Sequence, residues 1–179
     1  MAAKPNLMGS DARFRVACGL VAVFFSLVGA APVAAQDSNN PYGELRDAAE
    51  FFFEKLRSED KTALRALLHP EGVIFIHRRM GDDGPAVQTL TNAQYLEAHE
   101  QRAVRINELM RYETIRVDGD MGQIWGPYRF IVAGQTSHCG INSISFARNE
   151  GRWRVTNISF TMEPPEQCDG LRAPKEPEE

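Results

Sequence analysis

The sequence predicts an α+β fold in which three N-terminal helices pack on one face of a curved antiparallel sheet. Two observations predict it. Gln123 to Met162 holds three runs of apolar, β-branched and aromatic residues, parted by the turn signals Ala133-Gly134-Gln135 and Asn149-Glu150-Gly151. Such a pattern reads as an antiparallel meander. Upstream, apolar residues recur at helical spacing instead. Helices bunched first and strands bunched last define the class. A chain of 179 residues without internal repeats has room for one domain.

Residues 1–35 read as a secretory signal peptide rather than as part of that domain. Lys4, Arg13 and Arg15 form a basic region, Val16 to Ala30 carries no charge, and Ala31-Pro32-Val33-Ala34-Ala35 supplies small residues for cleavage after Ala35. The uncharged run is shorter than the ~20 residues that span a bilayer. The expected location is therefore exported, periplasmic or secreted, with no membrane attachment after cleavage. The remaining chain holds 17 Lys and Arg against 23 Asp and Glu, a charge of −6. This balance argues against nucleic acid and against an anionic membrane surface as partners. Cys18 leaves with the signal. Cys139 and Cys168 remain, and two cysteines in an oxidising compartment predict one disulfide.

Taken in order, residues 36–43 read as a disordered polar leader. A first helix runs from Gly43 to Arg57, with Leu45, Ala48, Ala49, Phe52, Phe53 and Leu56 on its apolar side. Phe51 falls off that stripe and predicts cover on a second side. Asp60 is placed to cap a short helix that carries Leu64 and Leu67 and stops at His69, because Pro70 disfavours a helical residue before it. Val73 to His77 reads as a strand and Arg78 to Leu90 as a loop or loose hairpin. Thr91 to Gln94 fits a capping box that opens a third helix, with Tyr95, Leu96 and His99 on one face. Ile106 to Val117 reads as a strand in two parts, and Asp118-Gly119-Asp120 as a hairpin turn. Pro127 predicts an edge or a bulge, since it cannot donate to a ladder. Residues 164–179 form a Pro- and Glu-rich tail that only Cys168 ties down.

His138 is the sharpest candidate for chemistry. Alternation places His138, Gly140, Asn142, Ile144 and Phe146 on one strand face. Gly140 reads as open space beside the imidazole. His138 is expected to line a concave pocket, with Tyr128 nearby, Asn142 on the same side, and His77 or His99 approaching from the helices. Trp125 and Trp153 read as core or dimer-surface residues. Glu108 and Glu113 alternate with charged neighbours and are expected on the outer face. No metal site is read, because neither cysteine has a CxxC partner, the histidines are scattered, and Asp82-Asp83 lacks the alternating oxygens of a calcium loop.

From Glu44 to Glu163 the chain resembles the NTF2-like superfamily, which includes SnoaL-like and ketosteroid-isomerase-like domains. The resemblance rests on the acidic-aromatic first helix, the short Asp60 to His69 helix ending in Pro, and Asp118-Gly119-Asp120. It rests equally on Trp125-Gly126-Pro127-Tyr128-Arg129-Phe130, Ser137-His138-Cys139-Gly140, Gly151-Arg152-Trp153-Arg154-Val155 and Thr161. Exported bacterial relatives look especially similar, with a late cysteine matched by Cys168. The resemblance implies a cone-shaped half-barrel, three helices on a strongly curved sheet around a pocket, over residues 44–163. It also implies a homodimer. It does not supply a reaction, because the family hosts enzymes and pure binding domains alike. The preferred reading is an exported domain that binds a small, largely apolar molecule without cofactor or assigned catalysis. The alternatives are a cofactor-independent isomerase or dehydratase using His138 and Tyr128, and a homodimeric protein-interaction module.

Overall fold

Asn40 starts the first helix: its Oδ1 accepts the Tyr42 N–H at 3.1 Å, and Pro41 takes the first helical position, where no N–H is needed. The computed structural model describes residues 40–82 and 84–176. Residues 1–39, where the signal peptide and most of the leader are expected, Asp83 and the last three residues lie outside it. Helix α1 spans Pro41–Arg57, so residues 41–43, expected in a disordered leader, form its first turn. Its buried stripe is Leu45, Ala49, Phe52, Phe53 and Leu56. Each of the leucines and phenylalanines contributes about 2 kcal/mol of transfer free energy, and Ala49 less. Phe51 is not covered by a second layer. It is 43 % exposed, with the Lys55 ammonium 4.8 Å from its ring centre.

Asp60 is not the N-cap expected of it: Lys61 holds that position in α2 (Thr62–Leu67), and Asp60, one residue earlier, accepts the Thr62 N–H at 2.8 Å. This helix ends two residues before the expected His69, because β1 (Leu68–Arg78) already takes Pro70 into an extended chain. The segment expected as a loop contains β2 (Ala86–Thr91), which pairs antiparallel with β1. The capping box opens α3 (Asn92–Glu100): Thr91 Oγ1 accepts the Gln94 N–H at 3.1 Å, and Gln94 Oε1 accepts the Thr91 N–H at 2.9 Å. Then come β3 (Ile106–Met110), β4 (Thr114–Asp118), β5 (Met121–Val132), β6 (Gln135–Asn149) and β7 (Arg152–Met162). Among the described residues no helix is long and apolar enough to cross a membrane.

The meander β5–β6–β7 forms as expected. Its two turns hold Ala133 and Gly134 at φ 51° and 78°, and Glu150 and Gly151 at 52° and 74°, the paired positive φ of the tightest hairpins. The sheet as a whole is mixed, not antiparallel. Its order is β2-β1-β7-β6-β5-β3, with β4 also on β5, and β1 runs parallel to β7. Parallel neighbours need a long crossover. Everything from β2 to β6 supplies it, which is why no local signal announced the pairing. Helix α1 lies against β3 and β4, and α3 against β1 and β2. The sheet stays open, since β2 and β3 form its two ends.

Pro127 is neither on an edge nor itself bulged. It is buried in β5, between β6 and β3–β4. The irregularity falls in the neighbouring chain instead. Arg111 N–H donates to the Pro127 carbonyl at 2.9 Å and Glu113 N–H to that of Trp125 at 3.0 Å, so the kink at residues 111–113 faces the missing proline donor. Gly126 admits that kink, because a Cβ there would stand 1.9 Å from the Arg111 carbonyl oxygen.

The tail is docked by more than its cysteine. Cys139 and Cys168 stand in disulfide geometry, with Cα atoms 5.6 Å apart. Ala173 is buried beside them. The Arg129 guanidinium, itself buried, donates to the Pro174 carbonyl at 2.8 Å, to Thr136 Oγ1 at 3.1 Å and to Asp169 Oδ1 at 3.2 Å. Trp153 joins the core, whereas Trp125 is 46 % exposed.

Candidate functional site

Strand alternation sends one set of side chains toward the helices. From β5 these are Tyr128 and Phe130, from β6 His138, Asn142 and Ile144, and from β7 Ile158, Phe160 and Met162. Ile76 and Arg78 join them from β1, and Glu108 from β3. Phe52 and Phe53 of α1 and Tyr95 and His99 of α3 cover them. Between these layers lies a cavity of about 340 Å³. Its walls are mainly apolar, with few polar groups, the ordinary make-up of a small-molecule pocket.

The polar groups form two sets. Glu108, Phe130 and His138 occupy one row across β3, β5 and β6. Glu108 is buried, and its Oε1 accepts a hydrogen bond from Asn142 Nδ2 at 2.7 Å. Burial raises its carboxyl to about 7; the Asn142 bond and the Arg57 charge oppose the shift without cancelling it. His138 stacks on Phe130 with ring centres 4.9 Å apart and meets the Tyr128 ring edge-on at 5.8 Å. His99 pairs its ring with Tyr95 at 4.2 Å, and its Nδ1 lies 2.8 Å from the Tyr95 carbonyl. A carbonyl only accepts, so Nδ1 carries the proton and Nε2 is left as the acceptor. Burial lowers both histidines to about 4, which keeps them neutral at neutral pH.

No family model matches the chain, and no curated protein does. Solved structures do. An NTF2-like protein from Cytophaga hutchinsonii is similar at 16 % identity and a TM-score of 0.59, over 69 % of this chain and 99 % of that one. An NTF2-like protein of unknown function from Shewanella baltica is similar at 12 % identity and a TM-score of 0.53, over 69 % and 94 %. Another from Silicibacter pomeroyi is similar at 14 % identity and a TM-score of 0.51, over 68 % and 94 %.

The chain has the NTF2-like fold. The NTF2-like frame brings four of the five expected residues together: His138, Tyr128, His99 and Asn142 all line the cavity. His77 does not. It sits on the opposite face of β1, where its Nε2 lies 3.0 Å from Ser159 Oγ. Val73, Ile74, Phe75 and Ile76 are apolar on both faces of β1, so alternation in that stretch carried no sign of which side was inner. Glu108 reverses the expectation that it faces outward. Ile106, Glu108 and Met110 share one side of β3, and the buried Ile106 was the available signal that this side points in. Glu113 is on the surface, bonded to Arg111 at 2.6 Å and to Arg172 at 3.4 Å.

Two further expectations are corrected by the close approach of β6 and β7. Catalysis by Tyr128 needs a hydroxyl free to face the cavity, but that hydroxyl donates to the Thr161 carbonyl at 2.7 Å. Gly140 does not leave open space. A Cβ there would fall 1.9 Å from the Thr161 carbonyl oxygen and 2.6 Å from its hydroxyl. That hydroxyl accepts the Ile141 N–H at 2.9 Å, in place of a ladder carbonyl. Gly140→Ala should therefore push β7 outward, loosen the Tyr128 anchor and cost about 2–3 kcal/mol. Urea denaturation checks this; wild-type stability in the variant would refute the close approach.

Proposed function

We propose that this chain is an exported protein that binds a small, largely apolar molecule in the cavity between helices and sheet. One observation carries the reading. Glu108, Asn142, His99 and His138 converge on a cavity of about 340 Å³ whose other walls are apolar. Neutral imidazoles and a half-protonated carboxyl can exchange hydrogen bonds with a ligand at small charge-burial cost. The cysteine pair suits an oxidising compartment. Native mass spectrometry of protein purified from an exporting host should show a retained small molecule. His138→Ala should weaken that retention by roughly tenfold, on the scale of one buried polar contact, with a circular dichroism spectrum that shows the fold intact. A wild-type protein free of adduct, with uptake of added apolar probes unaffected by His138→Ala, would remove the reading.

A specific observation also favours the enzymatic alternative, with different residues. The Glu108 carboxyl at about 7 is poised to take and return a proton at neutral pH in a mainly apolar site. In this reading Glu108 is the base and His138 a neutral hydrogen-bond donor, while Tyr128, committed to Thr161, holds the frame. Homodimerisation is proposed on the outer sheet face. There Phe75 and Trp125 occupy one row, joined through Ser159 and Ser143, and both are exposed.

A further inference from the structure

Two arginines line the cavity without serving its walls. Arg78 closes β1, and Arg102 lies just beyond α3. Both are exposed, and neither is ion-paired among the described residues, whereas the adjacent Arg79 bonds Glu163 at 3.0 Å. The Arg102 guanidinium lies 5.7 Å from the centre of the Phe130 ring, the ring on which His138 stacks. Ser137 lines the cavity beside His138, its Oγ 3.2 Å from the imidazole Nδ1. A third cation stands close by: Lys61, held on the Leu56 and Ser58 carbonyls, is lowered by burial and then by the charge of Arg102. His138 reports the same field, since burial first, and then Arg102 and Arg78, lower it.

This arrangement gathers like charges around a mainly apolar cavity in a protein of net negative charge. Like charges repel unless an anion joins them, and an arginine fork matches a carboxylate in two parallel hydrogen bonds. Ser137 and the neutral His138 add hydrogen-bonding groups without adding charge. The apolar surface beyond them, Phe52, Ile144, Ile158 and Phe160, offers nothing to a second charged group.

We propose that the ligand is a small amphipathic anion, its carboxylate held at the cavity mouth by Arg78 and Arg102 and its apolar body directed inward. The proposal rests on the ligand-binding reading above and narrows it to one chemical class. Arg78, Arg102 and Ser137 hold the head, and Glu108, hydrogen-bonded to Asn142, is left to meet an uncharged polar group of the ligand.

Calorimetric titration at pH 7.5 with octanoate, octanol and octylammonium tests it, since the three probes share a chain and differ in head charge. Octanoate should bind about tenfold or more tightly than octanol, the scale of a charge-assisted hydrogen bond. Added salt should shrink that gap. The Arg78→Gln/Arg102→Gln double variant should reduce the preference to within about twofold, with each single variant between. Both positions are exposed, and an unchanged melt verifies the fold. Equal binding of octanoate and octanol to the wild type overturns the proposal while leaving the cavity reading intact. So does tighter binding of octylammonium, or a carboxylate preference that survives in the double variant. Failure of all three probes to bind overturns both.

Discussion

Glu108→Gln should stabilise the protein by about 2–3 kcal/mol at pH 8 and have no effect on stability at pH 4.5 or below. The carboxyl titrates at about 7 in the folded chain, against an ordinary value of 4.5. Between these values the folded state holds a proton that the unfolded state has released. Stability must therefore fall as pH rises through this window, at about 1.4 kcal/mol per pH unit. Glutamine keeps the oxygen that accepts from Asn142 and removes the ionisation. His99 and His138 act in the opposite direction. They titrate at about 4 when folded and 6.5 when not, so below pH 6.5 the unfolded chain takes up protons that the folded chain refuses. Each can remove up to about 3 kcal/mol as pH falls from 6.5 to 4. Two histidines outweigh one glutamate over the shared window, which places maximal stability near pH 6.5 from these groups. Urea denaturation of wild type and Glu108→Gln from pH 4 to 8 measures the difference and cancels the remaining carboxylates. A variant less stable than wild type at pH 8 would mean that Glu108 is ionised and satisfied, contrary to its burial.

Replacing Cys139 and Cys168 together by serine should cost about 3.5 kcal/mol, from a closed loop with a sequence separation of 29 residues. The loss should concentrate in the tail. Without the link, Ala173 and Pro174 are free to leave the sheet, and buried Arg129 then loses the Pro174 carbonyl and the Asp169 carboxylate as partners. Urea denaturation with and without reductant should give matching curves for the double variant and separated curves for the wild type. Alkylation of the unfolded, unreduced protein, purified from an exporting host, should find no free thiol. Equal stability of wild type and double variant would show that the pair is unlinked in solution.

Local chemistry in the sequence was sufficient for the start of α3, the turns and the meander. Thr91 and Gln94 cap α3 through atoms three residues apart, and Gly134 and Gly151 close hairpins through their own φ angles. The alternation of β6 placed His138 and Asn142 on one face because neighbouring residues on a strand must point apart. The even cysteine count expected after cleavage named the pair. Contacts between distant segments decided the rest. The parallel place of β1 beside β7 joins residues about eighty positions apart, and only that pairing turns Ile76 and Arg78 inward and His77 away. The orientation of β3 against β5 buries Glu108, and with burial comes its shift to about 7. The space beside Gly140 is empty in the sequence and filled in the fold, because the Thr161 backbone reaches it only once β6 and β7 are registered. Periodicity reports which residues share a face; which face becomes the inside, and whose backbone comes close, depends on partners that no local pattern encodes.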